Sequence, residues 1–454
     1  MSKTKFAIAA LPALLLSSAA VAADLGQPAA PDLQRAFSLG VGVVGFDLPD
    51  RTDGIGGSDP GTAVGVSLSG AASFGIGHTD DYDVLLGINA FWDMGGGGST
   101  STQTFSGPGV VVVPGYTTPA GTTIQLGLAK DAGASTVTPS VTDTNHNPQG
   151  SNAVLITPLV TPADIGGTAN GFGVTPSGDG SSFVFGGLTG DGPNQKGLVF
   201  GSAAATDGGV FIAAGDLDGL SITTNSSQSI SYGGADITLA LAKANDGTTS
   251  FQGYVGPSYR HLGQHDDTKV SVNIPELDVG STFPTYSMDS VTDLNSDYFG
   301  GLVGATVTQQ LSDKVALTLG GEGALYFNHT SISGTQSYTV SGGNQANNGG
   351  PVPSQTVTNA TGPSGDSNST AFGVRGQAGM TVALAHGLSL GLNGNVDYLS
   401  SVPTVSQGSA TVTSGSMTDA GGSVSYTGAA QPGISLSYGG MLVFGATASL
   451  TGHF

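Results

Sequence analysis

Apolar and small polar residues alternate along most of this chain with a period of two. The segment 442–454 is the clearest case, because Leu442, Phe444, Leu450 and Phe454 share one face and the other face is small or polar. Such alternation predicts strands with one apolar face, whereas no convincing helical stripe follows residue 22. The sequence therefore predicts an all-β protein, with strands at 37–46, 62–77, 83–94, 235–243, 248–262, 298–311, 315–328, 370–384, 388–400 and 433–454.

The connections between these strands alternate in length. Short polar turns are predicted at 78–82, 244–247, 312–314 and 385–387, and long stretches rich in Gly, Ser, Thr, Asn and Asp at 47–61, 263–297, 329–369 and 401–432. Short turns at one end and long loops at the other are typical of a transmembrane β-barrel with periplasmic turns and extracellular loops. We therefore predict an antiparallel transmembrane β-barrel of about 10–12 strands.

The chain is expected to divide into five parts. Residues 1–22 have the layout of a secretory signal peptide, with Lys3 and Lys5 before an apolar core and small residues at 20–22. The other parts are an extended mature N-terminus (23–36), the first barrel strands (37–94), a large Gly/Ser/Thr-rich excursion (95–234) and the remaining barrel strands, which end in the C-terminal assembly strand (235–454). The excursion either adds one hairpin to the ring, giving the twelve strands that we favour, or forms a separate extracellular part.

The composition agrees with a protein whose outer surface faces membrane lipid. Charged residues make up 9% of the chain, against about 25% in soluble proteins, and a barrel has few places for charge because one strand face meets lipid. The formal net charge of −21 disfavours binding to nucleic acid. Absence of cysteine excludes disulfides, zinc–thiolate sites and a cysteine nucleophile.

Together, the signal peptide, the alternating strands and the terminal strand make the chain resemble a Gram-negative outer-membrane β-barrel protein. In that class the last strand, with its final aromatic residue, is the signal for barrel assembly; the matching residues here are Leu442, Phe444, Leu450 and Phe454, whereas Gly452 departs from the usual bulkier residue. The resemblance implies location in the outer membrane. It also implies contact with outer-membrane lipid, lipopolysaccharide and the barrel-assembly machinery.

Two motifs resemble a catalytic site and a metal site, but their positions on the predicted strands do not suit these roles. Residues 387–391 match the G-x-S-x-G nucleophile motif, but this motif needs a strand-to-helix turn and here it opens a strand. His261 and His265 precede two aspartates, but they lie at a strand end rather than on a helix where they would converge on a metal. We therefore expect no catalytic residue, no cofactor and no metal site, and a protein that is not an enzyme.

Charges on lumen-facing positions are the strongest candidate site. By the alternation, Glu322 and Arg375 face the lumen at similar heights on neighbouring strands, so a cross-strand ion pair is expected. Arg260 and Asp397 are expected to face the lumen as well, nearer the outer mouth. These charges would either form a constriction that selects ions or close a narrow barrel, and the sequence does not choose between the two roles.

Two classes of function remain. The first is a porin-like channel or a structural component of the membrane, with acidic loops that give a cation-favouring mouth. The second is a surface-exposed, adhesin-like or autotransporter-like barrel that displays long loops. A secreted β-rich matrix protein is a third interpretation, which the terminal strand does not favour.

Overall fold

The computed structural model of the chain describes residues 35–49, 62–79, 82–114, 123–131, 134–143, 152–155, 159–162, 171–176, 183–189, 196–202, 209–217, 219–245, 248–273, 285–341, 344–345, 350–351, 355–359, 365–385, 387–407, 411–414, 421–427 and 434–454. The predicted signal peptide and the predicted loop 47–61 fall wholly or largely outside these residues. Within them, no helix has the length and hydropathy of a membrane span.

Ten long strands form one closed antiparallel ring. They are β1 (Arg35–Asp47), β2 (Ala63–His78), β3 (Asp83–Thr104), β4 (Ser221–Asn245), β5 (Thr249–Asn273), β6 (Thr285–Ser312), β7 (Val315–Ser341), β8 (Gly365–Ala383), β9 (Leu388–Gln407) and β10 (Ile434–His453). Each strand pairs with the next in the chain, and β10 pairs with β1, so the ring has no free edge. Closure satisfies the backbone in lipid, where an open sheet edge cannot persist.

The ring confirms the predicted barrel and its ten strand positions. The favoured count of twelve strands is wrong, because β3 pairs directly with β4, and the predicted excursion 95–234 adds to the ring only its two ends, 95–104 in β3 and 221–234 in β4. Alternation of residue types marks strands but does not show which sheet they join, so the candidate hairpin in 95–234 could not be assigned from sequence.

Several strands continue far beyond the segment that crosses the membrane. A tilted strand crosses the bilayer in about 9–11 residues, whereas β5, β6 and β7 have 25, 28 and 27 residues. Much of the predicted loop 263–297 is therefore barrel wall, since β5 runs to Asn273 and β6 starts at Thr285. The sequence pattern missed this extension because its outward face is polar and gives little apolar contrast.

Shorter strands lie outside the ring. A five-stranded sheet contains Gly171–Pro176, Phe183–Thr189, Lys196–Ser202, Gly209–Asp216 and Pro108–Pro114. A second sheet contains Thr411–Ser414, Gly421–Thr427, Thr123–Asp131, Ala134–Asp143, Asn152–Leu155 and Leu159–Pro162. The remaining strands are Asn344–Gln345, Gly350–Pro351 and Gln355–Asn359, of which the last pairs with β7. The excursion is thus joined to the β9–β10 connection, because Thr123–Asp131 pairs with Gly421–Thr427.

The outer surface of the ring is an apolar belt. Large side chains such as Leu319, Leu325 and Val303 are exposed by 64%, 74% and 63% of their area, and contiguous exposure on this scale marks a membrane-facing surface. An aromatic girdle follows the outer rim of the belt, where ring side chains suit the membrane interface; its members are Trp92, Tyr259, Phe299, Phe327, Phe372 and Tyr398. The belt therefore indicates that this part of the barrel wall is surrounded by lipid.

Candidate functional site

The lumen is filled by three layers of inward-facing side chains. From the periplasmic end outwards they are a polar chamber, a cluster of ion pairs and an apolar layer, and we use these names below. The chamber and the ion-pair cluster are formed by polar residues at alternate positions of the membrane-spanning strands. The apolar layer is formed by apolar residues on the same strand faces, farther from the periplasmic end.

The ion-pair cluster is centred on two arginines and three carboxylates. Glu322 on β7 lies opposite Arg375 on β8, and Arg375 lies opposite Asp397 on β9. Arg375 Nη1 is 3.3 Å from Glu322 Oε1, and its Nη2 donates to Asp397 Oδ2 at 2.7 Å. One guanidinium therefore neutralises carboxylates on both flanking strands.

Arg260 completes the cluster from β5. It is 2% exposed and makes a bidentate contact with Asp236 on β4, with Nη1–Oδ1 at 2.6 Å and Nη2–Oδ2 at 3.1 Å. Its Nη2 also lies 3.7 Å from Glu322 Oε1. Arg260 and Asp397 thus belong to the same cluster as Glu322 and Arg375, which corrects the expectation that they lie nearer the outer mouth. The tilt of the strands brings together positions that counting along single strands separates.

Aromatic side chains hold the cluster in place. The guanidinium groups of Arg260 and Arg375 both lie 5.2 Å from the centre of the Phe91 ring, a distance at which cation–π attraction contributes. The Tyr254 hydroxyl donates to Glu322 Oε2 at 3.1 Å, and the Tyr232 hydroxyl lies 3.5 Å from Asp397 Oδ2. Nearly every charged group of the cluster therefore has a fixed partner.

Above the cluster, an apolar layer fills the lumen. Inward-facing residues from the whole ring pack together with exposures of 5% or less; the layer consists of Val44, Phe46, Ala63, Ile230, Tyr232, Leu262, Tyr298, Tyr326, Ala371, Leu399, Val402, Met441 and Val443. The layer therefore places closely packed apolar and aromatic side chains across the lumen.

A bulge in β9 brings backbone into the lumen beside this layer. The pairing register of β9 with β10 shifts between Leu399 and Val402, and Ser401 has a φ of 56°. Its carbonyl oxygen accepts from Tyr298 of β6 at 3.3 Å and from Asn328 of β7 at 3.2 Å, across the lumen. Bulges of this kind redirect a strand locally, and here the redirected backbone joins β9 to β6 and β7, which are not its neighbours in the ring.

Below the cluster lies a polar chamber of about 180 Å³. Its wall includes Ser67, Ser69, Asn89, Asp93 and Asn395, together with the charged groups of the cluster. Asp93 faces the chamber from β3 and is 5% exposed. Its Oδ1 has no hydrogen-bond partner among the described residues.

The segments 261–273 of β5 and 285–297 of β6 lie beyond the girdle and form a wall extension, and three acidic residues of its β6 segment face outwards. Three cross-strand pairs connect β5 with β6: His261 with Asp297 at 2.9 Å, His265 with Asp293 at 2.7 Å, and Lys269 with Asp289 at 3.3 Å. These aspartates lie on the outside of the wall, because inward and outward positions alternate and Leu294, Ser296 and Tyr298 are the buried ones. The sequence pattern placed these three aspartates in an acidic loop at the mouth of the barrel, but their side chains do not line the lumen.

Asp297 lies beyond the membrane-spanning segment, fifteen positions from the end of β6 at Ser312. Partial burial acts to raise its pKa, but hydrogen bonds from Tyr259 (2.6 Å) and His261 outweigh that effect, and the pKa of Asp297 falls below its ordinary value. On the other side of Asp297, His329 of β7 lies directly opposite it in the sheet.

The G-x-S-x-G motif and the histidine pair do not form a site among the described residues. Gly387 occupies the turn before β9 with a φ of 70°, and Ser389 faces the lumen at the start of a strand, so within the described residues this motif has no helix after it. His261 and His265 point outwards whereas Asp266 is buried on the inner face. In the described part of the chain no three His, Asp or Glu side chains come together as metal ligands.

The assembly-strand residues lie on β10. Leu442, Phe444 and Leu450 are on its outward face, and Phe454 is 82% exposed. Sequence reasoning missed Asp236, Asp93, Phe91 and Tyr232 as lumenal groups. Their alternation with outward Ile237, Leu239, Trp92 and Met94 was the signal that could have found them.

No family model and no curated protein matches the chain. Among solved structures it is similar to the outer-membrane protease OmpT from Escherichia coli, with 9% identity, 95% of this chain and 100% of that chain covered, and a TM-score of 0.29. The toluene transporter TbuX from Ralstonia pickettii has 8% identity, coverage of 92% and 89%, and a TM-score of 0.19. The toluene transporter TodX from P. putida has 10% identity, coverage of 94% and 91%, and a TM-score of 0.18.

The prediction that the protein is not an enzyme is wrong as an inference from barrel architecture. A protease stands among the similar barrels beside transporters, so this architecture does not exclude catalysis. Identities of 8–10% assign none of these activities to the chain. The closed ring of ten antiparallel strands and its apolar outer belt show a transmembrane β-barrel, which is the fold of the outer-membrane proteins to which the chain is similar.

Proposed function

We propose that this barrel is a structural component of the outer membrane whose lumen does not conduct, and that its extended strands present a surface to the cell exterior. The observation that carries the proposal is the apolar layer. Thirteen buried residues from across the ring pack together above the ion-pair cluster. An ion crossing this layer would exchange its water for largely apolar surroundings, which costs many kcal/mol.

The number of strands supports the same function. Barrels of about eight strands have interiors that side chains fill, whereas aqueous channels are found at about sixteen strands or more. A ring of ten is close to the first size. Four large lumenal side chains, Arg260, Tyr232, Tyr298 and Phe46, are exposed by 2% or less.

The wall extension supports an exterior role. β5 and β6 continue for more than ten residues past the aromatic girdle, and three pairs of oppositely charged or imidazole–carboxylate side chains connect them there. A stiff wall that rises above the lipid is a suitable base for surface contacts. Adhesion is the kind of contact that the surface-display interpretation would require.

Single-channel recording of the refolded protein in planar bilayers tests the proposal. We expect no steady conductance above the baseline at 1 M KCl. A porin-like conductance with preference for cations, as the acidic sequence would favour, overturns it. The matched variant is Tyr298→Ala with Met441→Ala, which removes two large side chains from the apolar layer; if a conductance appears only in this variant, the layer is the seal.

A further inference from the structure

In the described part of the lumen, buried carboxylates outnumber the arginines that can neutralise them. Arg260 forms ion pairs with Asp236 and Glu322, and Arg375 with Glu322 and Asp397. Among the described residues no ion pair includes Asp93, although its side chain is 5% exposed. Four carboxylates thus share two guanidinium groups in one enclosed region.

Asp93 also has an unused acceptor. Ser67, directly opposite on β2, hydrogen-bonds to the carboxylate of Asp93. Its Oδ1 has no partner in the described part of the chain, and the same holds for Nε of Arg375. Leaving an ionised carboxylate buried with an unsatisfied oxygen is expensive, so the site needs a proton or a cation.

The surroundings of Asp93 provide space and neutral oxygen donors. The chamber has a volume of about 180 Å³ and its wall carries the side-chain oxygens of Ser67, Ser69, Asn89 and Asn395. This volume is well above the roughly 10–15 Å³ that a single water needs, so the space can hold several waters, or a small cation with part of its hydration shell. A water in that shell can also accept from Nε of Arg375, because its oxygen has two lone pairs.

The donor set favours a single positive charge. Calcium is usually held by six to eight oxygens that include several carboxylates. No group of three His, Asp or Glu residues in the described strands is arranged around one point. One free carboxylate with hydroxyl and amide oxygens instead matches a monovalent ion.

We propose that the polar chamber is a binding site for a small monovalent cation, either an alkali ion or an ammonium group of similar size, with Asp93 as its charged ligand. The ion supplies the positive charge that the two arginines do not provide. The site is compatible with a barrel whose lumen does not conduct, because an ion can bind in the chamber without crossing the apolar layer above it.

Thermal unfolding of the refolded full-length protein in a neutral detergent at pH 8 tests the site. Four chloride salts are compared at equal ionic strength: potassium, rubidium, methylammonium and N-methylglucamine, of which the last is too large for the chamber. We expect a midpoint roughly 2–4 °C higher in a small cation than in N-methylglucamine, from stabilisation by a bound ion. A rise in potassium and rubidium identifies an alkali ion, whereas a rise in methylammonium alone identifies an ammonium group.

The variant Asp93→Asn should abolish the difference between salts. Asp293→Asn is the matched control, because it removes a carboxylate on the outer wall and should retain the difference. If Asp93→Asn does not refold, rubidium soaked into crystals of the unmodified protein gives the answer through its anomalous scattering, with a peak expected beside Asp93. Equal midpoints in all four salts, a difference that persists in Asp93→Asn, or rubidium bound only elsewhere overturns the proposal. A midpoint that depends on pH but not on the cation also overturns it, because a proton then neutralises Asp93.

Discussion

Glu322 and Arg375 face each other directly across the β7–β8 pair, with Arg375 Nη1 3.3 Å from Glu322 Oε1 inside the lumen. Arg375 also forms an ion pair with Asp397 at 2.7 Å, so its loss removes a cation from two carboxylates at once, of which Glu322 keeps only Arg260, at 3.7 Å. Glu322, by contrast, can be neutralised while Arg375 keeps Asp397. The two substitutions should therefore differ in their cost.

We expect Arg375→Gln to lower the free energy of unfolding by about 3–5 kcal/mol, the usual cost of leaving buried charges unpaired, and Glu322→Gln to cost less. Urea unfolding in lipid vesicles, followed by the fluorescence of Trp92, the single tryptophan of the chain, measures both. Asp289→Asn breaks an exposed pair with Lys269 and should change stability by less than about 1 kcal/mol. If Arg375→Gln is no worse than this control, the cluster does not stabilise the barrel.

The bulge at Ser401 predicts a dependence on residue shape. Its φ of 56° is unfavourable for β-branched side chains, so Ser401→Val should destabilise the barrel by about 1–3 kcal/mol. Ser401→Gly should be close to neutral, because the relief of backbone strain offsets the lost hydrogen bond from the Ser401 hydroxyl to the Thr370 carbonyl. The same urea titration compares the two variants. Equal stability of valine and glycine at this position would show that the bulge is not strained.

Trp92 lies over Gly233 on the outside of the wall and stacks against His261, with ring centres 6.3 Å apart. A Cβ added at Gly233 would clash with Cε3 of the indole, so the ring must move. We expect Gly233→Ala to shift the tryptophan emission maximum and to cost about 1–3 kcal/mol from overpacking. Gly376→Ala is the control, because nothing lies within 4 Å of its added Cβ. An unchanged spectrum in Gly233→Ala would contradict the packing of Trp92.

Acid should weaken the barrel partly through Asp297. Its pKa in the folded protein is lower than normal, so its contribution is present above the unfolded value of about 3.9 and is lost as the pH falls through the folded value. The difference in stability between the unmodified protein and Asp297→Asn should therefore shrink as the pH falls from about 5 through the folded pKa. Urea midpoints at each pH in this range measure it. A difference that grows as the pH falls below about 5 contradicts the sign of the shift.

The wall extension can be checked without substitutions. Backbone amides of Gln264 to Val272 form ladder bonds with β4 and β6, so we expect their hydrogen exchange to be slowed at least a hundredfold relative to an unstructured peptide. Exchange measured by mass spectrometry after refolding reports this directly. Rates typical of a free loop would place the end of the wall at the membrane surface instead.

The spanning part of the fold could be predicted from the sequence because lipid imposes a simple rule on it. Positions such as Leu317, Leu319 and Leu325 must be apolar, and their period of two fixed the strand positions and the inward direction of Glu322 and Arg375. Beyond the girdle that constraint ends. His265 and Asp293 are a polar pair on a strand, and a pattern that searches for apolar faces assigns them to a loop.

The candidate site was harder to predict than the strands that carry it. Glu322, Arg375, Arg260 and Asp397 were identified one strand at a time, but their meeting point depends on the tilt and stagger of the ring. Phe91 and Trp92 show the same difficulty, because adjacent aromatic residues face opposite sides and only the register assigns Phe91 to the arginines. Contacts across the lumen, such as Tyr298 with Ser401, leave no trace in a local pattern.

The seam between β1 and β10 has a consequence for how the barrel forms. At this seam the Thr451 hydroxyl donates to Ser38 at 3.0 Å, across 413 positions of the chain. Most other neighbours in the ring can pair early as local hairpins, but this pairing must overcome the entropy of closing a very large loop. Until it forms, two strands expose unpaired backbone groups that hydrocarbon does not tolerate. Folding and entry into the bilayer are therefore coupled events, completed together at the last seam.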